Sequence, residues 1–283
     1  MFWRKFEERL FNLLIRIATV IIISSLFVIL LTVLWKGVPA MNLDMITKTP
    51  AGGFYLGKEG GVLNAIVGSL YLGIGASIFS LVLTVPVVVY MNIYAPVGSR
   101  FVAFVRLSLD ILYGIPSIVY GAFGFIIMLF FGMQVSLLAG IVTVGLLVLP
   151  IMARTMDEVI RTIPKELGDA SLSLGATKWE TATKVIMRQA FPGILTAILL
   201  GFGRAIGDAA SVIFTTGFTD NIPTSVLQPA ATLPLAIFFQ LGSPIQEVVE
   251  RAYASALILT ILILIISIGS RLLFKRFNKN VIH

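Results

Sequence analysis

Arg204 and Asp208 are the only charged residues between Gln189 and Phe218, and they lie four positions apart. A charge at the centre of a membrane helix costs roughly 2.5–3.5 kcal/mol on insertion scales, so such residues usually face a bundle interior or a water-filled path. Arginine carries a planar fork of donors that suits oxyanions, and a spacing of four places both side chains on one helical face. We therefore predict either an ion pair that joins two helices or an anion contact at Arg204, which Asp208 holds in place and partly neutralises.

Other polar side chains lie within apolar stretches. Ser117 follows a proline, and its hydroxyl could bind an anion, although serine in a membrane helix more often bonds its own backbone or a neighbouring helix. Thr215 and Thr216 could line the exit from an outer pocket. Arg106 and Asp110 are again four apart. Here we favour an ion pair within one helix, with the arginine reaching the lipid headgroups.

The composition limits the class of protein. The 283 residues are 58% hydrophobic and 12% charged, with a mean hydropathy of +0.99, whereas a soluble domain is about 25% charged. This excludes a soluble enzyme, a disordered protein and a nucleic-acid-binding module. The chain has no cysteine, and its single histidine is residue 283, which excludes cysteine- or histidine-built metal sites and catalysis that depends on either residue. A membrane protein that crosses the bilayer several times remains.

Hydropathy predicts six spans, because a membrane-crossing helix needs about 20 largely apolar residues. The predicted spans are Ile17–Trp35, Ala65–Ala95, a pair within Ile111–Ala153 that turns at Phe131–Gln134, then Gln189–Phe218 and Ala252–Ser270. With the N-terminus in the cytoplasm, 16 of the 21 Lys and Arg residues lie on the inner side. The remaining basic residues are Lys36, Lys48, Lys58 and Arg251 on the outer side and Arg204 within a span. Since positive residues concentrate in cytoplasmic loops, we predict an all-α fold of six transmembrane helices with both termini cytoplasmic, and the net charge needs no nucleic acid.

Two parts of the chain are predicted to differ in role. Residues 1–63 would form one helix and an outer loop, and residues 64–275 a domain of five helices. Small residues are dense in the second and fifth spans, which favours close packing, whereas the apolar first and sixth spans suit contact with lipid. The outer segment 227–239 is apolar but too short to span, so we expect it to dip into the protein or to lie at the interface.

The longest cytoplasmic connection, Arg154 to Arg188, has helical signals. Pro164 favours a first helical turn, and Gly175 favours a helix end. The spacing Thr177–Glu180 is that of a capping box, which starts a second helix. Apolar and small residues share one face of the first helix: Leu167, Ala170 and Leu174. This helix–glycine–helix element could rest on lipid headgroups or dock a cytoplasmic partner.

Several motifs resemble one family. Asp169–Ser171, followed after three residues by Gly175, is similar to the EAA loop in permease subunits of type I ABC importers. Gly203–Asp208, Gly114–Gly121 and Thr232–Ile237 resemble segments of the phosphate-specific permeases within that family. The order of the motifs, the six spans and the length agree with the family, and the resemblance covers roughly residues 60–275.

The resemblance implies a type I ABC importer permease fold and a role for two groups of residues. The loop would be a coupling helix that contacts an ATP-binding subunit through Leu167, Asp169, Ala170, Leu174 and Gly175. Arg204, Asp208 and Ser117 would line the substrate path. The chain has no Walker A sequence, so a separate subunit would bind ATP and Mg²⁺ and hydrolyse the ATP. No cofactor is expected in this chain, which would be a transport subunit and not an enzyme.

The implied function is the translocation of inorganic phosphate across a bacterial or archaeal cytoplasmic membrane. The expected partners are a second permease subunit, two copies of the ATP-binding subunit, an extracytoplasmic phosphate-binding protein and membrane lipid, but not nucleic acid. One alternative is a permease for molybdate, sulfate or phosphonate. Another is an ATP-independent secondary transporter or channel, and a structural anchor would leave the buried Arg204 unexplained.

Overall fold

A computed structural model describes residues 2–51 and 59–277 of the chain. The sequence-predicted features at Lys58, Lys279 and His283 lie outside these residues. The helices are α1 (Phe2–Gly37), α2 (Leu43–Thr47), α3 (Leu63–Val89), α4 (Arg100–Gly114), α5 (Ser117–Phe130), α6 (Leu137–Thr162), α7 (Lys165–Ser173), α8 (Lys178–Glu180), α9 (Met187–Gly207), α10 (Leu233–Leu241) and α11 (Gln246–Phe277), with π-helices at Tyr90–Tyr94 (π1) and Thr181–Ile186 (π2) and two antiparallel strands, β1 (Pro50–Ala51) and β2 (Glu59–Gly60). The described part is thus almost entirely helical.

Five continuous helices among the described residues are long and apolar enough to cross a membrane. They are most of α1 (Glu7–Gly37), α3 with π1 (Leu63–Tyr94), α6 (Leu137–Thr162), α8 with π2 and α9 (Lys178–Gly207), and most of α11 (Gln246–Gly269). A sixth crossing results when α4 and α5, which meet at an angle of 101°, are counted as one broken span. Six crossings return the chain to the side on which it began, in agreement with the prediction that both termini share one side.

The third span is a broken one, and the prediction of a single helix from Ile111 to the turn at Phe131 is wrong. Helix α4 ends at Gly114, and Ile115 is extended, with φ −73° and ψ 130°. Pro116 explains the break, because a proline disfavours the helical conformation in the residue before it and has no N–H to donate. Across the break, the Tyr120 hydroxyl donates to the carbonyl oxygen of Leu112 at 2.9 Å.

The core lies where α3, α6 and α9 pack together. Small residues permit this packing, as predicted: a Cβ at Gly201 of α9 would lie 2.7 Å from the Met152 sulfur of α6. Helix α1, by contrast, exposes its apolar side chains along most of its length and packs near its end against α11, where Gly37 meets the Tyr253 backbone. The division of the chain at residue 63 stays a prediction.

The apolar outer segment dips into the protein. Ala231, Leu233 and Leu235 are buried, and the Leu233 backbone N–H donates to the Ser69 hydroxyl of α3 at 2.8 Å. A Cβ at Gly68 would overlap the carbonyl oxygen of Ala231, so the glycine allows this close approach. Of the two predicted placements, the one inside the protein is therefore the one observed.

Candidate translocation and coupling site

Helix α7 is the first half of the cytoplasmic element, and it begins directly after Pro164, as predicted. Only Ile163 and Pro164 separate it from the end of α6. The chain then reverses at Gly175, whose φ of +88° favours glycine. The backbone N–H groups of Gly175 and Ala176 donate to the carbonyl oxygens of Leu172 and Ser171, at 2.9 and 3.2 Å, and so close the helix end.

The second half begins with the predicted capping box. The Thr177 backbone N–H donates to the Glu180 carboxylate at 3.1 Å, and the Glu180 N–H donates to the Thr177 hydroxyl at 3.2 Å. The hydroxyls of Ser171 and Thr181 share a hydrogen bond of 3.0 Å between the two arms. The element is therefore a defined helix–turn–helix, whose second arm continues through π2 into α9.

Several apolar side chains of this element are exposed, among charged ones. Leu174 is 90% exposed, and α7 buries none of its side chains. Of the predicted contact residues, Asp169, Ala170 and Gly175 are also exposed, while Leu167 is half-buried. Sequence reasoning missed two further apolar residues on this surface, which their occurrence in a polar loop could have indicated: Leu172 and Trp179, 42% and 64% exposed.

The predicted pairing of Arg204 with Asp208 on one helical face is wrong. Helix α9 ends at Gly207, not at Phe218, and Asp208 has extended backbone angles of φ −85° and ψ 126°. Asp208 therefore lies beyond the end of the helix, and a spacing of four residues does not place the two side chains on one helical face. The nearly buried Asp208 carboxylate instead accepts hydrogen bonds from the backbone N–H and the hydroxyl of Ser211. The buried carboxylate thus holds the turn that follows α9.

That turn packs directly against α5. A Cβ at Gly121 of α5 would lie 2.8 Å from the Ser211 carbonyl oxygen. Thr215 and Thr216 are fully buried, and their hydroxyls donate to backbone carbonyl oxygens of Ser211 and Val212 at 3.1 and 3.0 Å. The predicted pocket lining by these two threonines is therefore not seen.

Arg204 lies at a cavity of about 210 Å³, to which it contributes together with Tyr113, Ile115, Leu147 and Ile151. Two of these residues come from the end of α4 and the break after it, and two from the middle of α6. None of the ion pairs found among residues 2–51 and 59–277 includes the Arg204 guanidinium. An exposed guanidinium beside a cavity that faces the middle of α6 can contact a small anion.

Ser117 is the first residue of α5 and is half-buried. The cavity wall includes Ile115, two positions earlier, but its lining does not extend to the serine. Arg204 and Ser117 thus lie near the same break without sharing the cavity, and Asp208 points away from it into its own turn.

The predicted ion pair between Arg106 and Asp110 is also wrong, because each residue pairs with α6 instead. Arg106 binds Asp157 at 2.9 Å, and Asp110 binds Arg154 at 3.1 Å. As for metals, the part of the chain that the structure describes contains no group of three His, Cys, Asp or Glu side chains arranged to hold an ion.

Comparison with known proteins agrees with this architecture. A Haemophilus influenzae protein named phosphate transport system permease protein PstA is 32% identical over 275 residues, or 97% of this chain and 96% of that protein. A PstA of Xylella fastidiosa strain 9a5c is 34% identical, over 87% of this chain and 84% of that protein. A crystal structure of the MetNI methionine ABC transporter in an inward-facing conformation matches with a TM-score of 0.61 at 21% identity, over 76% of this chain and 95% of that chain. That structural match shows a shared permease fold.

Residues 93–283 match the family described as binding-protein-dependent transport system inner membrane component. This range contains α4 to α11 and therefore both the cytoplasmic helix–turn–helix element and the Arg204 cavity. Since the match spans more than half of the chain, and two relatives that cover most of it exceed 30% identity, the chain belongs to this family of ABC transporter permeases.

Proposed function

We propose that this multi-pass membrane protein is the permease subunit of an ABC importer that carries inorganic phosphate across the cytoplasmic membrane. The observation that carries the proposal is the Arg204 guanidinium beside a cavity at the break between α4 and α5. A planar fork of donors suits a tetrahedral oxyanion. The names of the relatives from Haemophilus influenzae and Xylella fastidiosa favour phosphate among such anions.

Arg204 would contact the anion only transiently. Its guanidinium has an open side toward the cavity, and the aliphatic walls formed by Ile115, Leu147 and Ile151 keep the site small. Water reaching the cavity would weaken the attraction, because a high local dielectric reduces the energy between charges. The permease itself makes and breaks no covalent bond.

The cytoplasmic element would transmit movement from an ATP-binding subunit. Its exposed apolar residues, Leu172, Leu174 and Trp179, form a surface suited to a groove on that partner. Since two residues join α7 to α6, displacement of α7 would move α6 with it. Leu147 and Ile151 of α6 would then shift at the cavity.

The proposed assembly contains a second permease subunit and two ATP-binding subunits, and an extracytoplasmic binding protein delivers phosphate. One set of six spans encloses a poor pathway, which is why a second permease is expected. ATP and Mg²⁺ would be held by the ATP-binding subunits.

The test is uptake of labelled phosphate into proteoliposomes that hold the complete complex, with binding protein outside and ATP inside. Arg204→Gln should abolish uptake while ATP hydrolysis continues. Arg204→Lys should retain partial uptake, since a lysine keeps the charge but not the fork. Arg188→Gln, an exposed arginine on the same helix, serves as the matched control and should transport normally. Normal uptake by Arg204→Gln would remove Arg204 from the path.

The choice of ion is tested in the same vesicles. Sulfate, molybdate and a phosphonate are added as competitors of labelled phosphate. If one of them at equal concentration suppresses most of the uptake of labelled phosphate, that anion is preferred over phosphate. The ATP-driven mechanism would be unaffected. Uptake without ATP would overturn the importer proposal altogether.

A further inference from the structure

Asp157 is the centre of a buried polar junction near the cytoplasmic end of α6. Its side chain is 1% exposed. The Arg106 fork donates to both carboxylate oxygens, from Nε to Oδ2 and from Nη2 to Oδ1, each at 2.9 Å. Asn92, in π1 at the end of the second span, donates to the same Oδ1 at 2.8 Å and to the Val88 carbonyl oxygen at 2.9 Å. One carboxylate therefore joins α6, α4 and π1.

A second ion pair lies one turn away and has the opposite polarity. Arg154 of α6 binds Asp110 of α4 at 3.1 Å. Each helix thus contributes one arginine and one aspartate, Arg106 with Asp110 and Arg154 with Asp157. The Arg106–Asp157 and Asp110–Arg154 pairs are called the charge ladder below. Such reciprocal pairing fixes the register of the two helices, because a one-turn slip would bring like charges together.

Apolar packing holds α4 only weakly. Of its fifteen residues, the buried ones are Val102 and Leu109. Large apolar residues cover the opposite face and are exposed: Phe101, Phe104, Leu107 and Ile111. Val105 also packs against the core from this helix, and the charge ladder adds specific polar contacts to this small apolar interface.

The ladder lies between the two functional regions along α6. Leu147 and Ile151 line the Arg204 cavity, Arg154 and Asp157 form the ladder, and α7 follows the end of α6 after two residues. On the other helix, Tyr113 follows Asp110 by three positions and lines the same cavity. The ladder thus joins α4 and α6, two of the three helices that wall the cavity, and α9 with Arg204 is the third.

We propose that the charge ladder makes α4 and α6 move as one body, so that displacement of α7 reaches the walls that these two helices contribute to the Arg204 cavity. Arg106, Asp110, Arg154 and Asp157 are positioning residues and do not touch the transported ion. This inference rests on the proposed coupling function of α7. It does not depend on which oxyanion is carried.

The first test measures the distance between α4 and α6 in the assembled complex. The chain has no cysteine, so spin labels at Phe104→Cys and Thr162→Cys, both on exposed positions, are the only labels that it carries when the partner subunits are also made free of cysteine. Pulsed electron paramagnetic resonance should give one narrow distribution of distances between the two labels. The distribution should be the same without nucleotide and with ATP trapped before hydrolysis. In an added Asp157→Asn background, the distribution should broaden and differ between the two states.

The second test measures phosphate transported per ATP hydrolysed. Changes along a coupling connection alter coupling by roughly 2- to 30-fold, and Asp157→Asn and Asp110→Arg should lower the ratio within that range while hydrolysis continues. The exchange Asp110→Arg with Arg154→Asp should restore it, because the attraction returns with reversed polarity. Lys48→Gln, which breaks the exposed outer Asp44–Lys48 pair, is the matched control and should leave the ratio unchanged.

The outcomes separate this inference from the proposed function. A label distance that stays narrow and state-independent in Asp157→Asn, or an unchanged transport ratio, would overturn the role of the ladder. Should Asp157→Asn fail to insert, the half-exposed Asp110–Arg154 pair gives the same test through Asp110→Arg and the exchange. If phosphate is not the substrate, the distance measurement still decides, since it uses no transported ion.

Discussion

Leu174 offers the sharpest quantitative test of the coupling surface. Its side chain is 90% exposed, so it contributes little to the fold of the isolated permease. If the Leu174 side chain becomes buried against a partner, Leu174→Ala removes three carbon atoms with their hydrogens from the interface. At about 0.8 kcal/mol for each buried CH₂, and with nine-tenths of the side chain available, the loss is about 2 kcal/mol. That corresponds to roughly 30-fold weaker binding.

The assay is the affinity of the purified ATP-binding subunit for the permease held in lipid nanodiscs. Val97, 100% exposed in the turn that precedes α4 on the same side of the membrane, provides a matched apolar control. Val97→Ala should bind as the unsubstituted chain does, and both variants should unfold at the unchanged temperature. Equal affinity for Leu174→Ala and the unsubstituted chain would show that α7 does not carry the docking surface.

Three predictions concern the stability of the permease, each checked by thermal unfolding in detergent. Gly68→Ala should lower the melting temperature, because its Cβ would overlap a backbone carbonyl ahead of α10; an unchanged temperature would mean that this segment moves freely. Asp208→Ala should cost about 1–3 kcal/mol, since it leaves the buried Ser211 groups without an acceptor, and Asp208→Asn, which keeps one acceptor oxygen, should lose less. Tyr120→Phe removes the hydroxyl that caps the Leu112 carbonyl oxygen across the break and should cost about 0.5–1.5 kcal/mol; no loss would show that water replaces it.

Local signals predicted the cytoplasmic element well. Pro164, Gly175 and the Thr177–Glu180 spacing act through backbone geometry within a few residues, so no distant contact was needed to interpret them. The span positions followed in the same way from continuous apolar runs. Where the chain stays locally regular, the sequence therefore locates both the spans and the helices of the cytoplasmic element.

The predicted side-chain pairings were wrong where a helix ended earlier than expected, or where a residue far away in the sequence provided the partner. The Arg204–Asp208 pairing assumed that α9 continued, but the carboxylate is held by the Ser211 turn that packs on α5. Arg106 had an acidic residue four positions away, yet it binds Asp157, which lies 51 residues later and is buried. The single helix predicted across Pro116 is instead bent by 101°, an angle that a proline alone does not define.

The position of Asp208 changes how anion release must work. A carboxylate beside Arg204 would weaken anion binding permanently, in every state of the transporter. Because Asp208 is committed to the Ser211 turn, this chain leaves the guanidinium available to an anion in the observed conformation. Under the proposed function, release would come from a change in the cavity itself, and two of its walls, Leu147 and Ile151, belong to the helix that precedes α7. Widening the cavity would admit water and screen the charge, so in the proposed mechanism the movement that follows ATP binding would also set the affinity of the site.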